Sequence, residues 1–240
     1  MEQSTPNYTI EQVAELMAEI LKGNNETIMK ASQLLKEYTD ELISTQVMLN
    51  ILLNANNASF RQLAAILLKR HLNDHYKEME KNDQNFIKQA LLDRYFLEPE
   101  RAVRRAIGFL IGALTRVTLP TREWDELLQT IAQKIDGQMP LEVRDSGLTL
   151  LGNILDVSGE QLILHFSDFY NFFKTTIEDR EKSIRYQSLR CLLYLFENVG
   201  EEEHIAQFAN LVEPILKLVD ECLADRQFEL VHLAFTVFCE

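Results

Sequence analysis

An arginine returns about every forty residues along this chain, and each time it opens an apolar stretch with helical spacing. The four positions are Arg61, Arg104, Arg144 and Arg185, at intervals of 43, 40 and 41 residues, and a further 41 residues leads to Arg226. A fixed period of this length indicates two-helix repeats of the HEAT or armadillo type. Such units cannot bury an apolar face alone, so they stack on one another. The period therefore predicts an all-α fold, a right-handed α–α superhelix of HEAT repeats that binds macromolecules.

Composition supports this fold class. The 240 residues are 46% hydrophobic and include only 8 Gly and 5 Pro, fewer than a sandwich or barrel with many tight turns would need. We expect one solenoid over residues 1–240, the N-terminal part of a longer chain, because the last helix shows no polar capping repeat. The apolar periodicity predicts six helix pairs, at about 9–38, 40–72, 84–118, 121–156, 158–198 and 200–240.

Several residues indicate where helices begin and end. Thr9 with Gln12 has the spacing of a capping box, and so has Ser158 with Gln161 before the fifth pair. The polar stretch 73–84 is predicted to connect the second and third pairs. These signals place the helix boundaries between the repeats.

The recurrent arginines have a structural explanation. The third, fourth and seventh residues after each one are small or apolar, which predicts close packing between neighbouring helices. Glu98 precedes Arg104 by six residues, and Asp179 precedes Arg185 by six. A guanidinium can bridge to such a carboxylate as a planar donor, so we predict a ladder of acid and base along the stack. Binding of a ligand is the alternative role for these arginines.

Charge is unevenly distributed over a formal net charge of −13. Residues 61–105 carry ten basic and seven acidic side chains, whereas residues 197–229 carry two basic and nine acidic ones. The overall balance disfavours direct binding to nucleic acid, which needs a basic field. The acidic tract, which includes Glu201, Glu202 and Glu203, suits basic protein partners. Alternatively, these acids only solvate an outer face.

No feature predicts catalysis, a cofactor or insertion into a membrane. The longest apolar run, 107–114, is too short to cross a bilayer, and no secretory signal is visible at the start. The cysteines Cys191, Cys222 and Cys239 lie in apolar patterns and form no metal-binding or redox pair. His71 and His75 have a spacing that can hold zinc on a helix, but no third ligand is apparent, so we expect no metal site.

The stretch SFRQLAAILLKRHLNDHY, with NFIKQALLDRYFLEPERAVRRAIGFLIGAL after it, resembles the N-terminal region of the importin-β (karyopherin-β) family. The pattern is an arginine, a pair of small residues, an aliphatic run, a lysine and another aliphatic residue. Within the family, the RQ-x-AA-x-LL-x-R spacing is most similar to the importin-four and importin-five branch. The residues that carry the resemblance are Arg61, Ala64, Ala65, Ile66, Leu67, Leu68, Lys69 and Leu72.

The resemblance implies a monomeric nuclear transport receptor that shuttles between cytoplasm and nucleus and is not an enzyme. The small GTPase Ran in its GTP form would bind the second helices of the first repeats. Basic cargo such as ribosomal proteins or histones would bind the concave surface, and Phe-Gly nucleoporins would enter slots between the first helices. The alternative is a HEAT-repeat scaffold or adaptor subunit unrelated to nuclear transport.

Two sets of residues are candidates for these contacts. Helical stripes away from the predicted core should face Ran or cargo, although Ile66 and Phe109 could instead pack against a neighbouring repeat. A cluster of aromatic residues could line a nucleoporin slot, or could pack in the core between repeats. The Ran or cargo candidates are Gln62, Ile66, Lys69, Asn73, Arg105, Phe109 and Arg116, and the slot candidates are Phe166, Phe169, Tyr170 and Phe173.

Overall fold

A computed structural model describes residues 9–39, 44–159, 162, 166–198 and 208–239. Within these residues the secondary structure is helical and contains no strand, which confirms the predicted all-α class. Short 3₁₀ turns occur at Tyr76–Glu78 and Ala209–Leu211. The α-helices are α1 (Ile10–Lys22), α2 (Asn25–Thr39), α3 (Ser44–Asn54), α4 (Ala58–His75), α5 (Lys81–Leu97), α6 (Arg101–Thr118), α7 (Glu126–Ile135), α8 (Leu141–Ser158), α9 (Phe166–Thr176), α10 (Lys182–Asn198), α11 (Val212–Ala224) and α12 (Phe228–Cys239).

The chain forms two compact units that divide between Leu114 and Thr115, within α6. In the first unit α1 packs against α2, and α3 packs against α4. In the second unit α8 packs against α7 and α10, and α12 packs against α10 and α11. None of the described helices is long and apolar enough to cross a membrane.

The small and apolar residues after each recurrent arginine are buried, as the period predicts. They include Ala64, Ala65 and Leu68 in the first unit, and Leu148, Ser188 and Leu192 in the second, all without exposed surface. Small residues at these positions allow neighbouring helices to approach closely. For example, a Cβ atom added at Gly147 would lie 2.7 Å from a side-chain carbon of Ile135.

The capping box at the start of α1 is confirmed. The Thr9 amide donates to the Gln12 side chain at 2.9 Å, and the Gln12 amide donates to the Thr9 hydroxyl at 3.3 Å. The second predicted box is wrong, because Ser158 is the last residue of α8. Its hydroxyl lies 2.8 Å from the hydroxyl of Thr115 and is buried there. Gln161 lies outside the described residues.

The connection between the second and third pairs lies within the predicted stretch 73–84, but it is shorter than predicted. Helix α4 continues to His75, a 3₁₀ turn follows, and α5 begins at Lys81. Polar residues at both ends of the stretch 73–84 are exposed on α4 and α5, so their polarity reflects the solvent side of a helix and not a loop. Gln84 is buried, and its side-chain amide donates to the carbonyls of Tyr76 and Met79 at 2.8 and 3.2 Å. These bonds attach the turn to the beginning of α5.

The arginine period does not extend to Arg226. This residue lies in the turn between α11 and α12 with a φ of 59°, and α12 begins two residues later. Its amide donates to the Leu223 carbonyl at 3.2 Å, and the amide of Gln227 donates to the Cys222 carbonyl at 2.8 Å. This pattern ends a helix with a left-handed residue. Arg226 therefore has the role of a C-terminal cap.

Candidate functional site

The first arginine of the series, Arg61, forms a buried ion pair with Glu98. Its Nε and Nη2 atoms donate to the two carboxylate oxygens at 3.0 and 2.8 Å, in the bidentate geometry that arginine favours. Its Nη1 atom donates to the carbonyls of Ala55 and Asn56, both at 2.9 Å. Arg94 adds a further bond to the same carboxylate at 2.6 Å. The pair thus joins the beginning of α4 to the end of α5.

Glu98 is held in its charged form by these donors. Burial alone would raise the pKa of the carboxyl, but the hydrogen bonds from Arg61, from the Glu100 amide and from Arg94 lower the pKa below its ordinary value of 4.5. With its side chain fully buried, Glu98 offers no surface to a partner. These contacts support the structural role for Arg61 over ligand binding.

Two more arginines continue the ladder in the second unit. Arg144 pairs with Asp179 and also donates through Nε to the Ile135 carbonyl at 3.0 Å. Arg185 donates to Glu221 at 2.6 Å and to the Asp179 carbonyl at 2.9 Å. Burial alone would raise the pKa of Asp179, but the bond from Arg144 and the other contacts lower it. Each arginine thus reaches an acid about one repeat further along the chain.

Arg104 differs from the other three. Its Nη2 atom approaches a backbone carbonyl, that of Pro99, at 3.5 Å. The predicted Glu98 partner is already occupied by Arg61 and Arg94. The ladder therefore pairs each acid with the arginine of the preceding repeat, and not with the arginine that follows it by six residues.

The candidate Ran-facing residues of the first unit line a groove between α4 and α6, which we name the α4–α6 groove. It has a volume of about 280 Å³. Ile66 is 50% exposed and Phe109 is 41% exposed, so neither is packed away in the core. The Arg105 guanidinium carbon lies 5.3 Å from the Phe109 ring centre, a cation–π distance. The lining residues are Gln62, Ile66, Lys69, Ala102, Arg105, Ala106 and Phe109.

Five of the seven candidates meet in this groove, and two lie elsewhere. Asn73 is exposed near the end of α4 but is not part of the lining. Arg116 belongs to the second unit, where its Nε atom lies 3.4 Å from the Val157 carbonyl. Sequence reasoning missed Ala102 and Ala106. Extending the Arg105–Phe109 stripe toward the start of α6, in steps of three and four, would have found them.

A second groove in the first unit lies between α3 and α5, and the sequence did not single it out. We name it the α3–α5 groove. It has a volume of about 620 Å³. Phe86 is 62% exposed in its wall. The groove is lined by Thr45, Gln46, Leu49, Asn50, Leu53, Asn54, Glu78, Met79, Glu80, Asp83, Phe86 and Ile87.

The two histidines with zinc spacing have protein partners. His71 is buried, and its Nε2 atom lies 2.7 Å from the Thr45 hydroxyl. The Nδ1 atom of His75 lies 3.2 Å from the Glu78 carboxylate. Among the described residues, no group of three or more histidine, cysteine, aspartate or glutamate side chains is placed to hold a metal ion.

The nucleoporin-slot candidates on α9 divide by burial. Phe173 is fully buried and Phe169 is 7% exposed, with ring centres 6.1 Å apart. Their assignment to an open slot is wrong, because both rings are packed in the core of the second unit. Tyr170 is half-buried, and its ring meets the Phe208 ring edge-on at 5.6 Å. The Phe166 side chain lies outside the described residues.

The described cysteines are inert. Cys191 is fully buried, and this burial raises the pKa of its thiol to about 12. Burial likewise raises the pKa of the Cys222 thiol to about 11. A protonated thiol is a poor nucleophile and a poor metal ligand, so these residues act as small hydrophobic groups.

The acidic region near the end of the chain is partly neutralised by α10. Asp225 accepts a bond from Lys182 at 2.6 Å, and Arg185 reaches Glu221. Arg190 lies 3.4 Å from Glu229. Glu201, Glu202 and Glu203 lie outside the described residues. The pairs on α10 weaken the expectation that this region presents a free acidic face.

Comparison with known proteins places these features in a family. A model described as "Importin-beta N-terminal domain" matches residues 31–95, and one described as "IPO5-like, TPR repeats" matches residues 99–239, more than half of the chain. The chain belongs to the importin-β family. TPR and HEAT repeats are both helix pairs, and the spacing of about forty residues in this chain is that of HEAT repeats.

The relatives are importins. The probable importin subunit beta-4 of Schizosaccharomyces pombe is 29% identical over 69% of this chain. The probable importin-5 homolog of Dictyostelium discoideum is 22% identical over 89%, and human importin-4 is 23% identical over 79%. These matches support the importin-four and importin-five branch. The chain spans 15%, 21% and 17% of the length of these relatives, respectively.

Solved karyopherin structures share the fold. The crystal structure of Kap121p superposes with a TM-score of 0.74 at 15% identity, over 95% of this chain and 22% of Kap121p. Yeast importin-beta (Kap95p) superposes with a TM-score of 0.72 at 18% identity, over 97% of this chain and 29% of Kap95p. These similarities confirm a HEAT-repeat solenoid.

Proposed function

We propose that this chain acts in nuclear transport by binding Ran in its GTP form through the α4–α6 groove. The observation that carries the proposal is an exposed apolar pair, Ile66 and Phe109, in a groove whose lining also includes two cationic side chains, Lys69 and Arg105. Desolvating the two apolar side chains contributes affinity, and the flanking charges select an acidic partner surface and speed its approach.

The relatives support Ran as the partner. A solved Kap95p structure concerns the way Kap95p binding induces the switch loops of RanGDP to adopt the GTP-bound conformation. The α4 side of the groove lies in the segment matched by the importin-β N-terminal domain model. Ran recognition through this groove would give the family resemblance a specific surface.

The test is titration of the chain with Ran locked in the GTP state and, separately, in the GDP state. We expect selective binding of the GTP form. Phe109→Ser and Ile66→Ser should each weaken this binding by about tenfold or more, as loss of a central apolar contact does. Leu97→Ser is the matched control, because Leu97 is 75% exposed on α5 and lies outside the groove. Absence of GTP-selective binding, or equal losses with the control, would contradict the proposal.

Phe-Gly nucleoporins are the second class of partner that we propose. Kap121p has been solved bound to Nup53p, and a Kap95–Nup1 complex is also known. With Phe169 and Phe173 buried, Tyr170 is the candidate on α9 with a described and partly exposed ring. We expect Tyr170→Ala to weaken binding of a Phe-Gly repeat peptide. Unchanged affinity would remove α9 from this proposal.

Basic cargo completes the proposed set of partners. The α4–α6 groove carries Lys69 and Arg105 and so does not suit a basic segment. A basic cargo needs an acidic surface elsewhere in the chain. Import of a fluorescent histone into permeabilised cells, with and without the chain extended to its full-length protein, would test whether cargo transport follows.

A further inference from the structure

We propose that Ser183 is a phosphorylation site for a protein kinase that recognises an arginine three residues before the serine. Ser183 lies in the first turn of α10 and is exposed. Glu178 and Arg180, in the turn that precedes this helix, are exposed as well. The site belongs to the second unit, and the inference does not depend on Ran binding.

The residues before Ser183 carry the charges that such a kinase recognises. Arg180 precedes the serine by three residues and Lys182 precedes it by one. The Arg180 side chain is 83% exposed and the Lys182 side chain 54% exposed. Kinases select substrates by such charge patterns, because their own carboxylates pair with arginine and lysine of the substrate. The surface ion pairs of Arg180 with Glu181 and of Lys182 with Asp225 contribute little and can be exchanged for contacts with an enzyme.

A second serine with the same spacing shows what the structure adds to the sequence pattern. Ser188 follows Arg185 by three residues, as Ser183 follows Arg180. Ser188 has no exposed surface, and Arg185 donates to Glu221 at 2.6 Å. The pattern Arg-x-x-Ser does not distinguish the two serines, whereas burial excludes Ser188 and leaves Ser183 accessible.

The modification transfers one phosphoryl group from a nucleoside triphosphate to the serine. The Ser183 Oγ atom forms a bond to the terminal phosphorus of ATP while the bond from this phosphorus to the bridging oxygen breaks, and ADP leaves with the electron pair. The hydroxyl proton passes to a base of the kinase. The product carries a charge of about −1.5 to −2 at neutral pH.

The added charge would act on the contact between α10 and the end of α11. Ser183 and Tyr186 are three residues apart, so they lie on the same face of α10. The Tyr186 hydroxyl donates to the Asp225 carboxylate at 2.8 Å, and the Lys182 Nζ atom donates to the same oxygen at 2.6 Å. A phosphate beside these groups repels Asp225 and competes with it for Lys182. Phosphorylation therefore weakens the attachment of α10 to the turn between α11 and α12.

The experiment is phosphorylation of the folded chain by the catalytic subunit of cyclic-AMP-dependent protein kinase, which selects basic residues before a serine. Mass spectrometry of peptides locates the phosphate. We expect phosphate at Ser183 and none at Ser188. Arg180→Gln should slow incorporation at Ser183 by about tenfold or more, since a charged contact to the kinase is lost. Arg101→Gln removes an exposed arginine of α6 and is the matched control, with an unchanged rate.

Urea unfolding followed by circular dichroism measures the consequence of the modification. The midpoint should be lower for the phosphorylated chain than for the unmodified chain. The difference should be smaller in Asp225→Asn, because the carboxylate that the phosphate repels is absent. Ser183→Ala should abolish the effect of kinase treatment, whereas Ser32→Ala, at an exposed serine of α2, should preserve it.

Three results would overturn the inference: no phosphate at Ser183 in the folded chain, equal rates for the unchanged chain and Arg180→Gln, or modification of Ser188 as fast as that of Ser183. An equal fall of the urea midpoint in the unchanged chain and in Asp225→Asn would contradict the effect on the contact between α10 and α11. Circular dichroism before kinase treatment verifies that each variant is folded.

Discussion

The two grooves of the first unit each combine an exposed phenylalanine with charged side chains, and the charges are of opposite sign. The α4–α6 groove is flanked by Lys69 and Arg105, whereas the α3–α5 groove is flanked by Glu78, Glu80 and Asp83. Both contain an exposed phenylalanine. Similar apolar side chains thus occur on two surfaces of the first unit, and the opposite charges beside them suit partners of opposite charge.

The charged residues of the two grooves also differ in their contribution to helix stability. Lys69 and Arg105 lie inside α4 and α6, with exposed or half-exposed side chains. Glu80 and Asp83 lie at the N-terminal end of α5, where negative charge also stabilises a helix through its dipole. Reversing charge should therefore affect binding in the first groove, and both binding and some stability in the second.

The largest effect that we predict concerns the buried ion pair of Arg61 and Glu98. Glu98→Gln leaves the Arg61 guanidinium buried opposite a neutral group, so the free energy of unfolding should fall by about 3 kcal/mol. Because the pair joins the beginning of α4 to the end of α5, both grooves should lose affinity for their partners. Urea denaturation followed by circular dichroism measures the loss.

The matched control for this substitution is Glu221→Gln. Glu221 accepts one bond from Arg185 and is 45% exposed, so its replacement should cost no more than about 1 kcal/mol. Similar losses in the free energy of unfolding for Glu98→Gln and Glu221→Gln would show that burial does not determine how much each ion pair contributes.

The next effect concerns the sign of charge in the α4–α6 groove. Lys69→Glu combined with Arg105→Glu should weaken binding of Ran in the GTP form by about a hundredfold at low salt, because both flanking charges become repulsive. The difference from the unchanged chain should decrease as salt is added. A loss that does not change with salt would indicate altered packing and not altered charge. Isothermal titration at two salt concentrations makes this measurement.

A smaller effect is expected from Arg105→Lys. This substitution keeps the charge but loses the planar group over the Phe109 ring, so Ran binding should weaken by a few-fold, corresponding to about 0.5–1 kcal/mol. Arg101→Lys is the control, since Arg101 is exposed on α6 outside the groove lining. Equal effects of the two substitutions would contradict a role for the stacked geometry.

The smallest effect is the dependence of stability on pH. The pKa of Glu98 is lowered in the folded chain, so its stabilising contribution is present above the ordinary value of 4.5 and is lost as the pH falls through the lower folded value. Asp179 behaves in the same way relative to 3.8. Acid unfolding curves should therefore be less steep for Glu98→Gln than for the unchanged chain. Identical slopes would contradict this account, because they would show that proton binding by Glu98 does not differ between the folded and unfolded chain.

The fold was largely predictable because its repeat leaves a periodic record in the sequence. Arg61 and the small residues after it mark a buried position that recurs in successive repeats, and this recurrence indicated the helix pairs. The α4–α6 groove was also within reach, since Ile66 and Phe109 lie off the core stripe. Arg104 was misassigned because sequence spacing does not reveal which repeat an acid faces.

The α3–α5 groove could not be predicted in the same way. Its wall includes Glu78, the last residue of the turn Tyr76–Glu78, and the polar composition of this segment predicted a longer connector that gave no indication of a groove. Gln84 reads as a surface residue in the sequence, yet its side chain holds that turn in place. Burial of Phe169 and Phe173 likewise depends on packing between helices, which the aromatic cluster alone does not determine.

The two grooves are tested together by measuring the binding of each charge-reversed variant to each of the two proposed partners. The α3–α5 groove lies between the first helices of the second and third repeats, where the importin-β resemblance places Phe-Gly nucleoporins. Lys69→Glu with Arg105→Glu, and separately Glu80→Lys with Asp83→Lys, are titrated with Ran in the GTP form and with a Phe-Gly peptide that carries flanking lysines. We expect the first variant to lose binding to Ran and keep binding to the peptide, and the second variant to lose binding to the peptide and keep binding to Ran. Loss of both probes in both folded variants, or of neither in either, would contradict the assignment of two grooves to two partners.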